Sequence, residues 1–185
     1  QVRTEATGYG TVFFVDEMLK TSGESFDGKK VIVSGSGNVA VYAIDKVHQL
    51  GGRVVACSDS GGYVVDEGGI DLDLLKEIKN ERRGRISEYV GRRPSASFVA
   101  DGSIWDVPCD IALPCATQNE LHEDHALRLI TNGCRIVAEG DPNEVVAIHQ
   151  EPGVVRVQAF HADARAADAT ARAGSEMVGR DRRLA

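Results

Sequence analysis

The stretch Val31–Ala40, reading VIVSGSGNVA, limits what this chain can fold into more than any other. A run of β-branched residues (Val31, Ile32, Val33) stops at Gly35-Ser36-Gly37-Asn38-Val39-Ala40, and a helix-forming stretch continues to Leu50. A strand, a tight glycine turn and a helix, in that order, open a dinucleotide-binding unit in its G-x-G-x-x-A form. Gly35 takes the turn's unusual dihedrals, Gly37 leaves the backbone open to a pyrophosphate, and Ala40 lets the helix lie close on the strand. The helix start offers free N–H groups and the positive end of its dipole to phosphate. Such turns also occur without any ligand, so the surrounding pattern has to decide.

That pattern supplies the missing context. Val39, Ala43, Val47 and Leu50 recur at helical spacing, Gly51-Gly52 ends the helix, and Arg53–Ser58 (RVVACS) reads as a second strand. Two parallel strands joined by one helix make the βαβ unit that the motif requires. Asp59 closes the second strand, where an acidic residue hydrogen-bonds an adenosine ribose; the competing reading is a turn aspartate ahead of Gly61-Gly62. Ser58 and Ser60 flank it and offer hydroxyls to a 2′-phosphate. The most basic run, Lys79-Asn80-Glu81-Arg82-Arg83-Gly84-Arg85, is either a solvated helix end or a phosphate-neutralising segment.

Elsewhere strand and helix patterns alternate. Thr4–Leu19 predicts a helix, Lys30–Ser34 the first strand, and Tyr63–Val65 a short extended piece. Asp71–Asn80 predicts a helix capped by Asp71. Ser95–Ala100 holds a short strand, and Asp110–Leu113 a buried strand closed by Pro114. The polar loop Cys115–Asn119 follows at a strand's carboxyl end, where doubly wound sheets place ligands. Glu123–Asn132 predicts a helix, Arg135–Glu139 a strand, Pro142 the start of a helix running to about Gln150, and Val154–Val157 a last strand. The expected fold class is α/β: a Rossmann-like open, mostly parallel sheet with helices on both faces. It occupies residues 1–158, and the Ala/Arg/Asp-rich stretch 159–185, with little to bury, is expected as a marginal helix or a disordered tail.

Composition excludes other classes. A net charge of −7 over 185 residues argues against a nucleic-acid or anionic-membrane surface, and no apolar run is long enough to span a bilayer. Cys57, Cys109, Cys115 and Cys134 lie in or beside apolar runs without C-x-x-C spacing, so buried reduced thiols and a cytoplasmic setting are expected, with no metal site. The chain opens at Gln1 inside a patterned segment, which reads as part of something longer.

Five stretches together resemble the cofactor-binding half of glutamate dehydrogenases of the hexameric bacterial type. They are Arg3-Thr4-Glu5-Ala6-Thr7-Gly8-Tyr9-Gly10, Ser34–Ala40, Ser58-Asp59-Ser60, Asp110–Asn119 (DIALPCATQN) and Val137-Ala138-Glu139-Gly140. Leucine, valine and phenylalanine dehydrogenases share the fold, but the wording of TEATGYG and PCATQN points to glutamate. The resemblance implies reversible oxidative deamination of L-glutamate to 2-oxoglutarate and ammonia, with hydride passing to a nicotinamide. It implies that Thr7 binds the carboxamide, that Asn38 and Ala116 lie on the nicotinamide side, and that Thr117 and Asn119 join them as cofactor-binding residues. Ser36, Gly37 and Val39 then line the pyrophosphate turn, and Arg3 lies near the substrate. The Ser58-Asp59-Ser60 wording, with Lys79, Arg82 and Arg85, favours NADP. NAD is the alternative, because an Asp59 carboxylate repels a 2′-phosphate and suits a 2′-hydroxyl.

Two departures from that family follow. The substrate domain that precedes this region, with its glycine-rich lysine motif and acid/base aspartate, is not in these residues, and no residue here is a candidate for the catalytic proton transfer. The fragment is therefore expected to be inactive alone and to form a homo-oligomer only with that domain. After Glu139-Gly140 the chain reads Gly140-Asp141-Pro142-Asn143 and then the Ala/Arg tail, where the family continues differently; a shifted reading frame is one account of this. The rival readings are the cofactor domain of a leucine, valine or phenylalanine dehydrogenase and a non-catalytic nucleotide-binding module.

Overall fold

In the computed structural model, residues 5–117, 120–140, 145–151 and 154–160 are described. Arg3, Asn119, Pro142 and the tail from 161 onward lie outside them.

The first βαβ unit forms as its pattern dictates. Helix α1 (Ala6–Thr21) leads into β1 (Lys30–Val33), the glycine turn, α2 (Asn38–Gln49) and β2 (Arg53–Asp59). β3 (Gly62–Val65) turns straight back on β2, and Asp71 caps α3 (Leu72–Lys76) by accepting the Leu74 amide at 3.0 Å. The helical path then widens into a single π-type turn over Glu77–Glu81, a feature that often marks functional segments. After a short 3-10 turn (Ile86–Gly91) come β4 (Ser97–Ala100), another 3-10 turn (Ile104–Asp106), β5 (Ile111–Leu113), α4 (Glu123–Thr131) and β6 (Ile136–Gly140). β7 (Val145–Glu151) and β8 (Val154–Phe160) complete the described chain.

These strands form one sheet in the order β4-β3-β2-β1-β5-β6-β7-β8. The four central strands β2-β1-β5-β6 are parallel, and an antiparallel pair extends the sheet on either side. The α/β class with a parallel core is thus the one the sequence pattern implies. One expectation fails: residues 145–150 form β7, antiparallel to β6 with Ile136 opposite His149, and not the helix predicted from Pro142. Val145, Val146 and Ile148 are β-branched, and pairing with an available sheet edge outweighs the helix-start signal of one proline. β8 runs through Ala159 and Phe160, two residues beyond the boundary drawn at 158.

The pleat divides the core between two faces. Val31, Val33, Ile111, Leu113, Ile136 and Ala138 face α1, α2 and α3, meeting Val12, Val15, Ile44, Val47 and Leu75. Ile32, Ala112 and Val137, which alternate with them, face Trp105, Leu129 and the buried Cys109 and Cys134. Helices cover both faces, so the buried middle positions of the parallel strands are apolar on either side of the pleat.

Gly8 governs how α1 sits on α2. A Cβ at Gly8 would lie 2.5 Å from the Val39 carbonyl oxygen and 2.9 Å from the Ala43 nitrogen, both backbone atoms. Beside this contact the Tyr9 hydroxyl donates to Asp45 Oδ2 at 2.6 Å, and Lys46 Nζ stands 4.4 Å from the centre of the Tyr9 ring. Helix α1 is therefore anchored directly over the first turn of α2, and it packs on the β6 side of the sheet.

Candidate functional site

The strand order reverses between β1 and β5: the chain winds outward from β1 through β2, then returns to build β5 and β6 on the other side. The carboxyl ends of β1 and β5 therefore flank a crevice, the place where open α/β sheets bind ligands. Gly35 sits at the β1 edge with φ +82°, and a Cβ there would come within 3.0 Å of Ala116 Cα and 3.1 Å of the Cys115 carbonyl oxygen. Glycine is required on both counts: the dihedral is left-handed, and the loop after β5 occupies the side-chain position.

The helix start beyond the turn carries first-turn amides without a side-chain partner. Gly37 is the N-cap of α2 and contributes no side-chain hydrogen bond, so the first-turn amides have no side-chain cap. A Cβ on Gly37 would meet nothing within 4 Å, unlike one on Gly35. Packing gives no reason for a glycine at this position. Ser36 is buried, Gly37 and Asn38 are exposed, Val39 is half-buried, and Ala40 packs wholly inside. Ser58, at the end of β2, accepts the Gly35 amide at 2.9 Å and fixes the turn from the other side.

Asp59 behaves differently from either sequence reading taken alone. Its Oδ1 accepts the Gly61 amide at 2.8 Å, which is the turn role, and its Oδ2 accepts the Ile86 amide at 3.1 Å and lies 3.5 Å from Lys79 Nζ. The side chain is only 7 % exposed. Burial by itself would raise its pKa, but the Gly61 and Ile86 amides and the Lys79 ammonium outweigh that and hold the carboxyl below the usual carboxylate range. Lys79 also donates to the Gly84 carbonyl at 3.0 Å, and Arg85 Nη1 donates to Ser60 Oγ at 2.6 Å while standing 4.0 Å from Asp59 Oδ2. The charge of Asp59 is thus neutralised from within, and the mouth of β2 presents Lys79, Arg85 and Ser60. Arg82 is not in this group; its guanidinium pairs with Glu88 at 3.3 Å. Of the three cations named from the sequence, Lys79 and Arg85 stand beside Asp59, and Arg82 pairs elsewhere.

On the β5 side, Ala116 and Thr117 are exposed beside the turn. Thr7, half-buried in the first turn of α1, immediately precedes Gly8, which lies against Val39 at the start of α2. Burial, then the nearby Glu120 and Glu139 carboxylates, push the Cys115 thiol well above the usual range and favour its protonated form. Among the described residues no group of three or more His, Cys, Asp or Glu side chains is placed to hold a metal ion.

Two contributors escaped sequence reasoning. Gly8 was visible only as part of a resemblance, because a helix–helix contact leaves no local signal. Glu120, whose Oε1 accepts the Ala116 amide at 2.9 Å and the Ser34 hydroxyl at 2.7 Å, lies one residue past the loop as drawn.

The arrangement has close counterparts. Residues 1–162 match the model of the family described as Glutamate/Leucine/Phenylalanine/Valine dehydrogenase. A glutamate dehydrogenase of Bacteroides thetaiotaomicron is 55 % identical over 142 residues, covering 75 % of this chain and 32 % of that protein. An NADP-specific glutamate dehydrogenase of Haemophilus influenzae is 44 % identical over 197 residues, covering 99 % of this chain and 41 % of that protein. Among solved structures, a Plasmodium falciparum glutamate dehydrogenase superposes with a TM-score of 0.71 at 43 % identity, over 76 % of this chain and 31 % of that one. The chain spans between about a third and two-fifths of the length of the relatives it matches.

Proposed function

Since this chain belongs to the glutamate/leucine/phenylalanine/valine dehydrogenase family, we propose that it is the NADP-binding domain of a glutamate dehydrogenase. One observation carries the reading: the space over Gly37 at the uncapped start of α2 lies between a cationic pair at the end of β2 and a small-residue loop at the end of β5. A dinucleotide phosphate has complementary parts in that order. Its pyrophosphate fits the α2 start, with Ser36, Gly37, Asn38 and Val39 around it. Its 2′-phosphate fits Lys79, Arg85, Ser58 and Ser60, and Asp59 acts here as the anchor of the cations rather than as a ribose ligand. Its nicotinamide half then crosses to Thr7, Ala116 and Thr117; the family resemblance adds Asn119 as a cofactor residue and Arg3 as a substrate residue.

When bound, NADP supplies the hydride acceptor for oxidising L-glutamate to 2-oxoglutarate and ammonia. This chain's residues bind and orient the cofactor; the groups that hold the amino acid and take its proton come from a separate substrate domain, so the chain alone is inactive. Assembly into an oligomer is likewise expected through that domain, and the setting is the cytoplasm.

Fluorescence titration of the chain with NADPH and NADH tests the reading. Saturable binding with NADPH roughly ten-fold tighter or more is the expected result. Preference for NADH overturns NADP in favour of NAD, and the absence of saturable binding to either overturns the dinucleotide reading. Fusing the chain to a glutamate dehydrogenase substrate domain tests the substrate: turnover of leucine or phenylalanine in preference to glutamate assigns it to a sister enzyme.

A further inference from the structure

We infer that Glu120 is a positioning residue for the nicotinamide half of the cofactor, acting through the loop that follows β5; the inference rests on the dinucleotide reading above. Three bonds converge on its carboxylate and on one hydroxyl. The buried Ser34, immediately after β1, donates its hydroxyl to Glu120 Oε1 at 2.7 Å and accepts the Cys115 amide at 2.8 Å. The same Oε1 accepts the Ala116 amide at 2.9 Å. The Ser34 amide in turn donates to the Leu113 carbonyl at 3.0 Å, continuing the β1–β5 ladder up to the loop. Ser34 has one hydroxyl proton and uses it on Glu120, so its lone pair is free for Cys115. Glu120 thus orients Ser34 and holds the Ala116 amide at once, and the two carboxyl ends flanking the crevice are joined by a side chain belonging to neither strand.

The geometry gives this clamp a function beyond holding the fold together. A dinucleotide with its pyrophosphate on α2 and its adenosine at the end of β2 must lay its other half over the end of β5. That half meets Ala116 and Thr117, whose backbone path is set by the amides that Ser34 and Glu120 hold. Without the carboxylate, the Ala116 amide and the Ser34 hydroxyl lose their partner, and the loop relaxes across the crevice where Gly35 leaves no clearance. What matters is an acceptor oxygen at this point and not its charge, since an amide oxygen can accept the same two bonds.

Titration of the E120A and E120Q chains with NADPH and with 2′,5′-ADP, which carries only the adenosine half, tests the proposal. The expected result is that E120A weakens NADPH roughly five-fold or more, leaves 2′,5′-ADP unchanged, and that E120Q restores NADPH binding. Equal weakening of both probes in E120A, no weakening of either, or an E120Q chain as weak as E120A overturns it. Retained 2′,5′-ADP binding also shows that the variant is folded. If the unsubstituted chain binds neither probe, the dinucleotide reading fails and this inference with it, a result distinct from failure at Glu120 alone.

Discussion

The Asp59 carboxylate accepts the Ile86 amide at 3.1 Å, tying the last residue of β2 to the chain just after the basic segment. Asp59 is thus the post to which Lys79 and Arg85 are fastened. Replacing Asp59 with alanine strips the Gly61 and Ile86 amides of their acceptor and unpairs Lys79. The expected cost is about 2–4 kcal/mol in urea denaturation, together with weaker 2′,5′-ADP binding. Tighter binding, the outcome if Asp59 mainly repelled phosphate, would contradict this role.

Acid titration gives a second test of the same residue. The folded pKa of Asp59 is depressed, so its stabilising contribution is fully present above the unfolded value of about 3.9 and is lost as pH falls through the lower folded value. Stability should therefore decline with acidification in that range, and Asp59→Asn should flatten that part of the curve while lowering stability at neutral pH. An unchanged acid limb in the variant would show that other carboxylates set the decline.

The cations should separate by their partners. Lys79→Ala and Arg85→Ala are each expected to weaken NADPH roughly ten-fold, about 1.4 kcal/mol, with NADH affected little. Arg82→Ala should have a smaller effect, because its guanidinium is turned to Glu88. Calorimetric titration of the three variants ranks them directly, and a dominant loss in Arg82→Ala would reverse the assignment.

Gly8→Ala places a methyl 2.5 Å from the Val39 carbonyl oxygen, and the backbone of α2 has no side-chain freedom with which to yield. A loss of about 2 kcal/mol or more is expected in chemical denaturation. Because Thr7 rides on the same turn, NADPH affinity of the folded fraction should fall as well. A wild-type melting curve would mean that α1 can lift off without consequence.

The parts of the fold readable from the sequence were those written locally. The VIV-to-GSGNVA transition announces β1, its turn and α2, and the Asp71 cap announces α3. The crevice was legible only as a rule about strand ends, since pairing of β1 with β5 has no local signature. Asp59 supported two readings because both chemistries use a carboxylate at a turn; its Ile86 contact, 27 residues away in sequence, settles its partners. Pro142 predicts a helix to about Gln150 where β7 forms instead, because a proline's helix-start signal is local while the edge of β6 is not. Arg82 and Arg85 were indistinguishable as charges; the π-type turn and the left-handed φ of 53° at Arg83 point them to different neighbours.

Lys30 and Asp110, joined at 2.7 Å beside the β1–β5 ladder, are 80 positions apart in the chain. The glycine turn and α2 can assemble from neighbouring residues, but the opposite wall of the crevice arrives only after this long-range closure, the slow and entropically costly kind of contact in folding. The local wall is therefore expected to form before the long-range one. On the proposed dinucleotide reading, a ligand spanning both walls would favour the closed state by mass action, and added cofactor would slow proteolysis of the chain.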